Sequence, residues 1–199
     1  RSLLSQCLVC GGCEHACPQG VEFTKMMIEQ RNRTAMGKRI PWLKKIVLFF
    51  YQGFILRRVL WLPRLLARTP LKRKLSLPDF QKANWKKIAG GDPGREYDIL
   101  LFPGCTFTYF YPRKSVEIKA LLERQGFSVL LPEGLRCCGF PYLSQGWGDK
   151  FAELKSRNQA VFRRYRFQRI VVPCSTGVLA FRDYYDLPGV EVLELGEFL

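Results

Sequence analysis

Cys7-Leu8-Val9-Cys10-Gly11-Gly12-Cys13-Glu14-His15-Ala16-Cys17-Pro18 places four cysteines at spacings of two, two and three residues, with proline directly after the last. Thiolates two residues apart on a tight, glycine-rich turn can each reach a different corner of one small cube, and this spacing is the one that holds a [4Fe–4S] cluster. Gly11 and Gly12 allow the backbone to curl without Cβ clashes, and the amides freed by that curl point at an anionic group. Disulfide frameworks belong to small secreted scaffolds, and zinc sites usually set two ligand pairs far apart. Neither matches four cysteines within the eleven residues from Cys7 to Cys17. Cys7, Cys10, Cys13 and Cys17 are therefore read as metal ligands. In chains with two such runs the fourth cysteine serves the other cluster, so Cys17 closes this cube or another one. The chain starts at Arg1 rather than Met, which predicts a fragment or a processed chain.

The remaining composition is that of a globular protein. Of 199 residues, 47% are apolar and 25% charged, enough for one medium domain with an appendage. Eight cysteines in two sets of four point to metal in a reducing compartment rather than to disulfides. No signal peptide is visible. The net charge of +15 is unevenly spread: between Arg31 and Lys87 there are 16 Lys or Arg against Asp79 alone, while the rest of the chain has 16 basic and 16 acidic residues.

That basic stretch separates the two cysteine sets. Before it, Val21 to Gln30 reads as a short helix whose Phe23, Met26, Met27 and Gln30 pack back onto the cube. Within it, the 11-residue run Ile46 to Leu56 lies between Lys44-Lys45 and Arg57-Arg58. This is well short of the roughly 20 apolar residues that cross a bilayer. An interfacial helix fits, with Trp42 and Trp61 at headgroup depth and the basic side chains against anionic lipid. A docking face for an acidic partner and a core helix with a solvated basic rim are the alternatives. Nucleic acid is not an expected partner: Lys and Arg suit phosphate, but runs of Leu, Ile, Phe and Trp favour lipid or protein. These readings divide the chain into 1–30, a [4Fe–4S] segment; 31–89, a basic amphipathic helical connector; and 95–199, an α/β domain. Ala89 to Gly94 is the linker by composition.

From Tyr97 onward the pattern alternates between strand and helix. Asp98 to Phe102, Phe127 to Leu131 and Arg169 to Val172 read as strands, and Val190 to Leu193 as a fourth. Ser115 to Arg124, Lys150 to Tyr165 and Val178 to Tyr184 read as helices. Cys105 follows the first strand, Cys137 and Cys138 the second, and Cys174 the third. Right-handed crossovers bring the carboxyl ends of parallel strands to one edge, where α/β sheets bind ligands. Four cysteines far apart in the chain are thereby expected to converge as a second metal site.

Gly104-Cys105, then 31 residues, then Cys137-Cys138-Gly139, then 34 residues, then Cys174 resembles the cysteine-rich CCG domain found in heterodisulfide reductases and their relatives. With the N-terminal run, which is of bacterial ferredoxin type, the chain resembles the iron–sulfur subunits of glycolate oxidase, of lactate oxidation systems and of anaerobic glycerol-3-phosphate dehydrogenase, and the membrane-associated type of heterodisulfide reductase. The resemblance implies a fold with a ferredoxin-like helical [4Fe–4S] segment and a parallel-sheet CCG domain. It also implies an electron-transfer subunit of a membrane-associated respiratory oxidoreductase. Electrons would pass between a partner flavoprotein, or another redox subunit, and quinone or a disulfide. The expected place is cytoplasmic, peripheral to the inner face of the membrane. Cluster-based reduction of a disulfide or persulfide by the chain itself is the alternative.

The family pattern often closes with C-x-x-C, which would put a cysteine where this chain has Gly177. For the second site this leaves open an ordinary, non-cubane or incomplete cluster, a zinc ion, or no metal at all. The family's two runs and two CCG domains are here one of each. No nucleophile–base pair, phosphate loop or flavin fingerprint is present, so no catalytic residue is named.

Overall fold

The computed structural model describes residues 6, 7, 9, 11–35 and 89–199. Cys10 and residues 36–88, which carry nearly all of the expected basic connector and the expected interfacial helix, lie outside the described residues. Among the described residues no helix is long and apolar enough to cross a membrane.

The chain opens on α1 (Gly12–His15) and α2 (Phe23–Ala35), then alternates: β1 (Glu96–Leu101), a π-helix (Thr106–Phe110), α3 (Pro112–Arg124), β2 (Val129–Leu130), α4 (Phe140–Leu143), α5 (Gly148–Phe162), β3 (Arg166–Val172), α6 (Ser175–Tyr184), β4 (Glu191–Glu194) and α7 (Leu195–Phe198). The four strands form one sheet in the order β2-β1-β3-β4, with every pair parallel. The α/β class with a parallel sheet is thus present, and each expected strand is found within a few residues of its expected limits.

Central strands of a parallel sheet are covered on both faces and read as continuous apolar runs. Ile99, Leu100 and Leu101 of β1 are all fully buried, yet successive side chains point to opposite faces. Ile99, Leu101, Val129, Leu131 and Val171 pack with Leu122 and Ile118 of α3 and Leu195 and Phe198 of α7. Leu100, Phe102, Leu130, Ile170 and Val172 belong to the other face with Phe140, Phe151, Phe162 and Phe181. Two helical layers therefore sandwich the sheet, and the larger apolar cluster lies on the side of α4, α5 and α6.

α2 corrects the expectation for Val21 to Gln30. The helix runs on to Ala35, so position 31 falls inside it rather than at a boundary. Phe23 and Met26 are exposed, at 39% and 57%, and so is Gln30. Thr24 and Ile28 face inward instead, and Ile28 joins the cluster that contains Phe140 and Leu143. A helix buries the stripe that meets its partner, and here that partner is the α/β unit. The expected linker is also tied down: the N–H of Gly90 donates to the carbonyl of Leu131 at 2.8 Å.

At the amino end of the sheet, Asp98 and Ser128 lock β1 to β2. The Ser128 hydroxyl donates to Asp98 Oδ2 at 2.6 Å and its N–H to the same oxygen at 2.7 Å, while the N–H of Asp98 donates to Ser128 Oγ at 2.9 Å. The hydroxyl first, then the backbone N–H, hold the Asp98 carboxyl below its usual range. A depressed carboxylate pKa adds stability above its unfolded value, near 4, and that stability is lost as pH falls through the folded value. Ser128→Ala is expected to cost on the order of 1 kcal/mol at pH 7. The gap from the parent protein should shrink below about pH 4; urea unfolding at pH 7 and at pH 3 measures both.

Candidate metal centres

The described residues of the N-terminal run follow a tightly curled backbone. Gly11 takes φ +76°, and Val9 takes φ +56°, a left-handed conformation that a β-branched residue adopts only under constraint. The curl aims backbone N–H groups at sulfur: the N–H of Val9 donates to Cys7 Sγ at 3.4 Å. The N–H groups of Val21, Gln19 and Gly20 reach Cys17 and lower its thiol pKa. Cys7 and Cys17 are half-buried and Cys13 is exposed. Glu14 Oε1 accepts the N–H of Thr24 at 2.7 Å, which caps the start of α2 and ties the run to it. Beside the run, a cleft of about 510 Å³ extends to Leu179 and Asp183 of α6, and none of the described cysteines lines it.

The second set sits at the carboxyl edge of the sheet. Cys105 leads into the π-helix, Cys137 and Cys138 precede α4, and Cys174 is the N-cap of α6. Cys137 and Cys138 are buried, Cys105 and Cys174 partly so, and all four belong to, or pack on, the same apolar cluster. The Cys105 thiol interacts electrostatically with that of Cys137, and Cys137 with Cys138. The interaction with Cys137, then burial, push the Cys105 thiol far above its ordinary range. At Cys137 the interaction with Cys105 pulls downward but is outweighed by Cys138 and burial, leaving the thiol pushed up to about 12. The structure thus brings Cys105, Cys137 and Cys138 into contact and places Cys174 at the same edge. Among the described residues no three Cys, His, Asp or Glu side chains surround a common point as a metal would need.

The donor chemistry fits a soft metal. Thiols crowded against one another in a dry pocket resist ionising, because each new charge meets its neighbours in a low dielectric. A bound cation reverses that preference. Thiolates with no hard oxygen ligand are the set that iron–sulfur clusters and zinc take.

The family described as CCG, a cysteine-rich domain, matches residues 99–182. This stretch is a CCG domain. The chain is similar to one component of a CoM/CoB fumarate reductase from Methanothermobacter marburgensis, 32% identical over 112 residues, which cover 55% of this chain and 22% of the relative. It is similar to an iron–sulfur protein of Methanocaldococcus jannaschii, 22% identical over 195 residues, covering 97% of this chain and 36% of the relative. A probable glycolate oxidase iron–sulfur subunit of Bacillus subtilis is 24% identical over 213 residues, covering 92% of this chain and 47% of the relative. The chain thus spans from about a fifth to about half of the length of these relatives. No solved structure matches it.

One feature of the CCG domain escaped the reading of its sequence. Asn158 is fully buried on α5. Its Nδ2 donates to the Cys137 carbonyl and to Tyr185 Oη, both at 3.1 Å, and its Oδ1 accepts the N–H of Arg136 at 2.8 Å. Tyr185 in turn donates its hydroxyl to the Cys138 carbonyl at 3.0 Å; burial, first of all, raises its pKa. The signal was available: Asn158 shares the inward face with Phe151, Leu154, Val161 and Phe162, and a polar residue on such a face holds something.

Gly177, already marked in the sequence as standing where the family pattern has a cysteine, is closely packed. A Cβ there would lie 2.8 Å from Val172 Cγ1, so a fifth thiol has no room unless β3 gives way. Asn158→Ala is expected to cost about 2–3 kcal/mol, since it orphans the Arg136 N–H and the Cys137 carbonyl and removes a donor to Tyr185; urea unfolding measures it. Gly177→Ala should destabilise as well, and Val172→Ala in the same chain should recover part of the loss.

Proposed function

We propose that this chain binds two iron–sulfur clusters and serves as the electron-relay part of a larger oxidoreductase. The N-terminal cluster is a [4Fe–4S] cube on Cys7, Cys10, Cys13 and Cys17. The second cluster is held by Cys105, Cys137, Cys138 and Cys174. The observation that carries this reading is the pairing of two thiol sets of different origin, one local and one gathered at a sheet edge, docked together through α2. The relatives are named as iron–sulfur proteins or as subunits of oxidoreductases.

Bound clusters supply one-electron transfer. The protein's part is to hold and tune them. Amides of Val9 and of Gln19 to Val21 donate to cysteine sulfur, which favours the thiolate and the reduced state. Phe140, Phe151 and Val178 keep water from the edge where Cys137 and Cys138 lie, and Asn158 with Tyr185 fixes the backbone of that pair. The donor of this relay is a flavoprotein or another redox subunit, and the acceptor is quinone or a disulfide. The basic connector holds the assembly at the inner face of the membrane, where the quinone is reached.

One observation favours a second reading. Position 177 is glycine, and a Cβ there would press on Val172, so in this reading the CCG site offers four thiols rather than five and an exogenous sulfur ligand could bind there. Two electrons and two protons would then turn one disulfide into two thiols.

Iron, sulfide and zinc measured per chain on anaerobically purified protein test the main reading. Iron and sulfide in equal amounts, with loss of one electron paramagnetic resonance signal in Cys10→Ser and of a different one in Cys137→Ser, are expected; zinc alone at the CCG site rejects the second cluster. A change in the CCG-site spectrum on adding a disulfide selects the second reading. Flotation with anionic vesicles, weakened by salt, is expected from the basic segment, with no salt-sensitive shift of DNA.

A further inference from the structure

Arg31 lies on α2, near neither cysteine set in sequence, and yet its guanidinium joins the backbones of both. One nitrogen, Nη2, donates to the carbonyl of Cys7 at 2.5 Å. The other, Nη1, donates to the carbonyl of Ser144 at 2.6 Å, across 113 residues of chain. Ser144 follows α4, the short helix that starts two residues after Cys138. The N–H of Ser144 donates to the Phe140 carbonyl at 2.9 Å, and that of Leu143 to Gly139 at 3.2 Å. The neighbour of Arg31 on α2 supports the same junction, since Asn32 Nδ2 donates to the Leu143 carbonyl at 3.4 Å. A hydrogen-bonded path therefore runs from Cys7 through Arg31 and α4 to the residue after Cys138.

We propose that Arg31 is the positioning residue that couples the two cysteine sites. Its planar fork fixes the Cys7 loop against the segment that follows Cys137 and Cys138, and its charge raises the reduction potential of the N-terminal cluster. This rests on the proposed function, in which the run holds that cluster. A guanidinium is suited to the task because it is always charged and its donors lie in a rigid plane, whereas an ammonium is a single point charge on a flexible stem. Cluster potentials follow net charge, hydrogen bonding and solvent exposure. A half-buried cation on the carbonyl of a ligand residue stabilises the more negative, reduced cluster.

The test compares the full chain with Arg31→Lys, Arg31→Gln and Arg31→Met, all purified anaerobically. Iron and sulfide per chain are measured first. A redox titration then follows the resonance that Cys10→Ser removes, and hydrogen exchange follows the amides of residues 143 to 146. In Arg31→Gln and Arg31→Met the midpoint potential is expected to fall with iron retained. Arg31→Lys should keep a potential near that of the parent, since it keeps the charge. All three should lose about fivefold of exchange protection at 143 to 146, the effect of one lost hydrogen bond.

A parent-like potential in Arg31→Gln with full iron overturns the tuning role, which a merely structural contact would leave unmoved. Unchanged exchange in all three overturns the positioning role. If Arg31→Met does not fold, Arg31→Gln and Arg31→Lys still decide both points. A parent chain without iron overturns the proposed function and the tuning with it, and the exchange result then judges the positioning alone.

Discussion

A parallel sheet can be closed only by crossovers that return each chain segment to the same starting edge. Everything at the CCG site follows from that constraint. β1, β2 and β3 run in one direction, so the loops that leave them emerge side by side at the carboxyl edge. Cys105, Cys137, Cys138 and Cys174 all lie on those loops. The covering helices keep the edge dry, because both faces of β1 and β3 must be hidden and the side chains that hide them reach to the strand ends. Phe102, one residue past β1, illustrates this: it is 1% exposed and meets Phe181 of α6 edge-on at 4.6 Å.

A dry edge has a cost for polar backbone, and the structure answers it with a small network. The carbonyls of Cys137 and Cys138 sit where water cannot reach them, and Asn158 and Tyr185 supply their donors. An unpaired buried carbonyl costs more than a hydrogen bond normally contributes, so this network decides which backbone conformation the adjacent cysteines adopt. Gly139 completes the arrangement. It holds φ +87°, and a Cβ there would sit 2.7 Å from Phe151 Cδ2, which leaves α5 free to pack directly on the turn after the cysteine pair.

The strands and the cysteine positions were legible in the sequence because they depend on short-range pattern: apolar runs of four to five residues, punctuated by Pro, Gly and Cys. The inward face of α2 was not. Phe23, Met26 and Met27 suggest an apolar stripe there. The helix buries Thr24 and Ile28 instead and presents Arg31 and Asn32 to α4. Which stripe a helix buries is set by what lies opposite, and what lies opposite α2 is more than a hundred residues away. The π-helix after Cys105 and the four-residue α4 were missed for a related reason, since elements this short have no periodicity to read. Asn158 was readable, as a polar residue on an apolar face, but its partners were not.

The two cysteine sets also stand in opposite relations to folding. The N-terminal ligands span eleven residues and the CCG ligands seventy. Loop closure scales with the logarithm of length, so gathering the CCG set from an unfolded chain costs only about 2 kcal/mol more than gathering the run. The larger difference lies in what else holds each set in place. At the CCG site the sheet, the crossovers and Asn158 bring the cysteines to one edge. The described residues of the N-terminal run form a four-residue helix and a strained turn at Val9 and bury little of their own; their shape rests on what α2 lends them through Glu14 and Arg31 and, in the proposed reading, on bound metal. In the proposed reading metal organises the run, whereas at the sheet edge the fold gathers the thiols first. The docking of α2 is the point at which the stability of the one is passed to the other.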